Sequence, residues 1–177
     1  MDYQDIKEFF KDTIGYILVV GIVILIIVYV FTFSQVVGPS MSPTLNEGDI
    51  TVLLKSHYKI FDVKRTDVIS FTYDEGKYLI KRVIGLPGDK IIIKDNKVYI
   101  NDEELEEAYL PDDVVNEDFK LEDLEYDEVP DGYYFCLGDN RIDSMDSRDS
   151  RVGLVNIKDI KGKIVFKLFP FNEMRGL

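Results

Sequence analysis

The chain has 177 residues and a formal charge of −12, a length that suits one domain with a small insertion. The acidity is local: residues 101–128 hold 14 acidic side chains against Lys120 alone, a charge of −13 that leaves the remainder near +1. No basic block points to nucleic acid, the single cysteine (Cys136) excludes an intrachain disulfide, and no Cys/His grouping has zinc-ligand spacing.

Residues 1–13 form a short tail in which Asp2, Asp5, Glu8 and Asp12 outnumber Lys7 and Lys11. No charge occurs from there to Asn46, and residues 14–33 ("IGYILVVGIVILIIVYVFTF") are almost wholly apolar. Twenty helical residues span about 30 Å, the hydrocarbon thickness of a bilayer. The run is too long for a cleavable signal, its flank is acidic and no small-x-small site follows, so 14–34 reads as a retained anchor. The flank gives the positive-inside rule little to act on. The simplest arrangement is a cytoplasmic tail at 1–13 and an exported domain over 35–177.

Past Asn46 the pattern changes to short β-type runs. "DITVLLK" (49–55), "DVISFTY" (67–73), "YLIKRVIG" (78–85), "DKIIIK" (89–94), "KVYIN" (97–101), "GYYFCLGD" (132–139) and "DIKGKIVFKLFPF" (159–171) read as strands. Asp95-Asn96 reads as a tight hairpin. The expected fold class is therefore mainly β, an antiparallel-sheet domain behind one N-terminal transmembrane helix. Residues 101–130 read as an acidic cap insertion, packed by Leu110, Val114, Val115, Phe119, Leu121 and Leu124. That segment lacks the central glycine and alternating ligands of a calcium loop.

"GPSMSPTL" (38–45) holds two serines, and a serine nucleophile needs a base. The only histidine, His57 in "LKSHYKI", reads as a polar turn residue. Cys136 in an apolar run reads as a small buried hydrophobe. Lys81 is the other candidate base, since burial lowers a lysine's pKa from near 10.4 by up to about 3–5 units. Strand alternation puts it on one face with Leu79 and Val83, where it either snorkels or is desolvated, and the pattern alone favours snorkelling. "LGDNRIDSMDSR" (137–148) is dense in turn residues, with two arginines among the acids that favour internal ion pairs.

Together "PSMSPTL", "EGDITVL", "KRVIGLPGD" and "GDNRIDSMDSR", in this order behind one anchor, resemble the bacterial type I signal peptidase family, in its Gram-positive-like single-anchor form. The resemblance implies a membrane-bound Ser/Lys endopeptidase that removes signal peptides from exported preproteins, with no metal and no cofactor. It implies Ser40 as nucleophile, with its backbone N–H as an oxyanion donor, and Lys81 as general base. Ser42 takes the variable position. Ser144 would orient the lysine amine, Asp146 and Arg148 would brace their loop, and Arg82 would join that ionic support. Gly85, Pro87 and Gly88 would keep the turn after the lysine strand. Val36, Met41 and Ile80 are the candidate walls for the small residues the family takes at −1 and −3. Gly38 departs from the Gram-negative pattern, where a serine there adds a hydroxyl to the oxyanion hole, and Thr66 stands where the family often has glycine. Implied partners are preproteins and the lipid bilayer, for a monomer beside the secretion translocon. The rival readings are a self-cleaving repressor-type Ser/Lys protease, and an inactive membrane-tethered preprotein-binding module.

Overall fold

The computed structural model describes residues 3–55, 57–74 and 76–177, with side chains from residue 11 onward. Met1, Asp2 and the side chains through Phe10, which carry most of the charge read in the tail, lie outside the described residues.

Helix α1 (Tyr3–Val30) carries the apolar run. Over Lys11–Val30 its mean hydropathy is 2.9 and none of its side chains is buried, and it is long and apolar enough to cross a membrane. The helix stops at Val30, short of the end of the apolar run, and Phe31–Gln35 continue as strand β1. Pairing explains the break. β1 runs antiparallel to β2 (Ile50–Lys55), with Phe31 opposite Leu54 and Gln35 opposite Ile50. Lys55 Nζ also donates to the Val28 carbonyl at 3.2 Å, one of the helix-end acceptors left without an intrahelical partner.

The remaining strands are β3 (Val68–Asp74), β4 (Lys77–Gly85), β5 (Ile91–Lys94), β6 (Lys97–Ile100), β7 (Glu103–Glu104), β8 (Phe119–Lys120), β9 (Tyr133–Leu137), β10 (Val155–Asn156), β11 (Ile160–Phe169) and β12 (Arg175–Gly176). The larger sheet runs β1-β2-β11-β3-β4-β9-β10, with β12 on β11, and all its pairings are antiparallel. Every strand read from the sequence is present. The two-residue strands β7, β8, β10 and β12 are too short to show alternation.

The smaller sheet, β7-β6-β5-β8, is an antiparallel hairpin with the acidic segment folded onto both its edges. Asp95 and Asn96 turn the β5–β6 hairpin with φ of 52° and 65°, the left-handed pair that a two-residue loop requires. Phe119 and Leu121 of the acidic segment are buried against Ile91, Ile93, Val98 and Phe135, and Leu124 packs at the margin. Val115 stays exposed. The insertion is therefore built on this second sheet.

Along β4 the exposure falls from Lys77 and Tyr78 to a fully buried run at Lys81–Gly85, because both faces of this central strand are covered there. Ile69 of β3 lies opposite Lys81, and Cys136 of β9 lies opposite Val83. Ile164, fully buried in β11 between β2 and β3, ties this sheet to Val36, Met41, Leu45, Leu53 and Val68. Ile164→Ala is expected to cost about 2–5 kcal/mol by leaving a cavity there, read from denaturant unfolding of the detergent-solubilised protein.

Candidate active site

Three segments meet at the site: the turn after β1, the buried half of β4, and the loop after β9. Gly38 enters the first with φ of 82°, a left-handed conformation that glycine takes without strain. Ser40 follows. Lys81 Nζ donates to Ser40 Oγ at 2.7 Å and to the Ile80 carbonyl at 3.0 Å. The lysine is 2% exposed, so it is desolvated and does not snorkel. Burial pulls its amine from 10.5 down to about 8, against a smaller upward pull from Asp146, Cys136 and Asp139.

A second buried lysine shows what is distinctive here. Lys167 of β11 is equally enclosed but forms ion pairs with Asp49 at 2.6 Å and Glu173 at 2.7 Å. Among the described residues Lys81 forms no ion pair. A buried amine without a carboxylate is relieved by losing its proton, which makes it a base.

The loop after β9 is held by three arginine–carboxylate pairs. Arg82 Nε and Nη2 donate to Asp139 at 2.9 and 2.6 Å, and Nη1 donates to the Thr66 carbonyl. Arg148 grips both Asp146 oxygens, at 2.9 and 2.8 Å, and Asp146 in turn accepts the Gly138 N–H at 3.0 Å. Arg141 Nε donates to the Gly138 carbonyl at 2.9 Å, while its far side meets Glu107. Gly138 is pressed between Ser144 and the Ser40 carbonyl so closely that a Cβ would overlap both. Asn140 N–H donates to that same Ser40 carbonyl at 3.1 Å. The loop thus fixes the Ser40 backbone.

The chain's residues 7–169 match the family model described as signal peptidase, peptidase S26. The chain belongs to this family. Among its relatives, signal peptidase I of Bacillus caldolyticus is 39% identical over 82% of this chain and 83% of its own length. Signal peptidase IB of Staphylococcus aureus N315 is 34% identical over 88% of each. A solved signal peptidase I from Enterococcus faecalis V583 superposes with a TM-score of 0.52 at 36% identity, covering 59% of this chain and 97% of that one.

In this signal peptidase-family chain the structure brings Ser40 and Lys81 together and pairs Asp146 with Arg148 as the sequence led one to expect. Arg82 joins them through Asp139, a buried acid that the sequence reading did not single out. Ser144 is adjacent, against Gly138, but its buried Oγ makes no hydrogen bond among the described residues. The lysine amine takes the Ile80 carbonyl where a bond to Ser144 was expected. Val36 and Met41, at 4% and 1% exposure, are core side chains with almost no surface for a substrate, and of the three candidate walls only Ile80 is partly exposed. Ser42 Oγ donates to Asn46 and is turned to other work. His57 stacks on Phe61 in a short 3-10 turn, and burial pushes the Cys136 thiol up, away from reactivity. Glu107, Tyr109 and Asn116 were missed, and Arg141, expected to pair within its own loop, pairs with Glu107 outside it. The only signal was the arginine in "GDNRID", with nothing to mark its partner.

Lys81 also sets a stability prediction. Its pKa falls from 10.5 unfolded to about 8 folded, so folding must strip or strand a proton at any pH below the unfolded value. The cost is complete below about pH 8, at about 3 kcal/mol, shrinks between the two values, and vanishes above the unfolded pKa. Lys81→Met, similar in shape and uncharged, is expected to unfold at a higher temperature than the wild type at about pH 7. That advantage should fade toward pH 10 in thermal melts of the same detergent preparation.

Proposed function

We propose that this chain cleaves N-terminal signal peptides from exported preproteins, with Ser40 as nucleophile and Lys81 as general base. The observation that carries the reading is the 2.7 Å approach of Lys81 Nζ to Ser40 Oγ by a buried amine with no carboxylate partner among the described residues. With the amine neutral, the hydroxyl donates across the same contact. Lys81 takes the Ser40 proton as Oγ bonds to the scissile carbonyl carbon, giving a tetrahedral oxyanion. The ammonium then protonates the departing amine, and the C–N bond breaks to leave an acyl group on Ser40. Neutral Lys81 next takes a proton from water, whose oxygen attacks the acyl carbon, and returns that proton to Ser40 Oγ as the ester bond breaks.

The Ser40 N–H, which makes no backbone hydrogen bond among the described residues, supplies one oxyanion donor. Gly38 has no hydroxyl to add a second. Ser144 supports the amine in the working site, with Asp146, Arg148 and Arg82 holding its loop. Substrate lies as an extended strand, its small side chains facing the partly exposed Ile80. α1 spans the membrane with its N-terminus cytoplasmic, the sheet domain is extracytoplasmic, and the chain works as a monomer beside the translocon. Ser40 follows the helix end by only ten residues, which keeps the chemistry near the lipid surface, where a signal peptide's own apolar segment delivers its cleavage site.

Two measurements check this. Ser40→Ala and Lys81→Met are each expected to abolish cleavage of a preprotein by the detergent-solubilised full chain, and Ser40→Ala to abolish covalent labelling by a penem acylating agent. Near-normal turnover in either variant overturns the assignment, and a wild type that neither cleaves nor labels favours a tethered binding module. The kcat/KM of the wild type should also climb with pH and level off above about 8, gaining about tenfold from pH 7, because only the neutral fraction of Lys81 accepts a proton.

A further inference from the structure

The acidic insertion is the one sequence feature that the proposed reaction leaves without a task. We propose that it is a clamp on the active-site loop, with Glu107 and Tyr109 as positioning residues for the Ser40–Lys81 pair, an inference that rests on the peptidase reading above.

The contacts are specific. Glu107 takes the Arg141 guanidinium with both carboxylate oxygens, at 2.5 and 3.0 Å, the two-pronged geometry that fixes direction as well as charge. The Tyr109 hydroxyl donates to the same carboxylate at 2.5 Å, and its ring lies 3.9 Å from the Arg82 guanidinium carbon. One three-residue stretch of the insertion therefore touches two of the three arginines around the site. Arg82 is the neighbour of Lys81 in β4, and Arg141 holds the Gly138 carbonyl beside Ser40. Arg141 is also held from further along the insertion. Asn116 Oδ1 accepts from Arg141 at 3.0 Å, and its Nδ2 donates to the Asn96 carbonyl at 2.6 Å in the β5–β6 turn.

The charge arrangement gives the clamp a second consequence. Arg82, Arg141 and Arg148 are matched by Asp139, Asp146 and Glu107, and only Glu107 comes from outside the loop. The Arg141 side chain is 0% exposed, so water cannot replace a lost partner. The groups facing Lys81 are Ser40, Cys136 of β9, and Asp139 and Asp146 of the loop, while Arg82, next along β4, reaches Asp139 from the strand's other face. Removing the Glu107 charge leaves one surplus positive charge, on Arg141, in the loop that also carries Asp139 and Asp146. It disfavours the ammonium form, so Lys81 should lose its proton at lower pH even as the loosened loop misplaces Ser40. A residue that only adds stability would produce neither change.

The test compares pH–rate profiles of the full chain in detergent for wild type, Glu107→Gln, Glu107→Asp and the exposed-pair control Glu104→Gln. Glu107→Gln is expected to lower kcat roughly tenfold or more with KM nearly unchanged, and to move the acid limb down by at least about 0.3 pH unit. Recovery of most of the rate by Glu107→Asp, with Glu104→Gln like the wild type, supports the clamp. Wild-type kcat and an unmoved limb in Glu107→Gln overturn it, whatever happens to thermal stability, as does an equal effect from Glu104→Gln. Should Glu107→Gln fail to fold, Tyr109→Phe keeps the ring over Arg82 and removes only the bond to Glu107. A roughly two- to fivefold fall in kcat is then expected, and an unchanged kcat overturns the proposal. Should the wild type cleave no preprotein, the peptidase reading fails by itself. The clamp is then read from an NMR titration of the Lys81 side chain, where a midpoint lowered by Glu107→Gln supports it and an unchanged one overturns it.

Discussion

A single unpaired amine in a dry place is the constraint around which this molecule is arranged. Charged, Lys81 would need a carboxylate of its own, as Lys167 has in Asp49 and Glu173. Uncharged, it needs only a hydroxyl and a carbonyl, and Ser40 and Ile80 supply them. Such a site is costly to build, so its walls must be rigid. β4 carries the lysine between β3 and β9, where both faces are covered, and the loop after β9 is pinned by paired charges on every side. The carboxylates nearest the amine are each engaged by a guanidinium. That engagement keeps their pull on its proton small and lets desolvation win.

Much of this was legible in the sequence, because β-type runs bounded by turn residues leave a strong pattern. The strands, the Asp95-Asn96 hairpin and the Ser40 and Lys81 segments could be read directly. Burial of Lys81 could not. Alternation along one strand reports which residues share a face, but only the neighbouring strands decide whether that face is dry. β1 was hidden for a related reason: "FTF" is apolar enough to extend the helix, and only the partner strand β2 makes it extended. Val36 and Met41 illustrate the converse error, since adjacency in sequence to a nucleophile does not place a side chain at the surface beside it.

The acidic segment was the least legible part. Its composition suggests a solvated flap, and most of its carboxylates are indeed exposed. Yet Phe119 and Leu121 are core residues, and Glu107 finds an arginine 34 positions away in sequence. Nothing in a run of acids distinguishes the one that is paired and nearly buried from those that meet water. The buried arginine was the better clue, because a guanidinium in a tight loop must be answered by something.

The direct passage of α1 into β1 fixes where the sheet domain sits relative to the end of the apolar helix. No flexible tether intervenes: β1 starts at the residue after the helix end and is hydrogen-bonded along its length to β2, and Lys55 ties β2 back to the last turn of the helix. Ser40 is therefore held at a set height above the helix end, as on a ruler. On the function proposed above, a substrate anchored in the same bilayer is measured against that height, and the distance from its apolar segment to the scissile bond becomes a criterion for cutting, separate from the side chains that flank it.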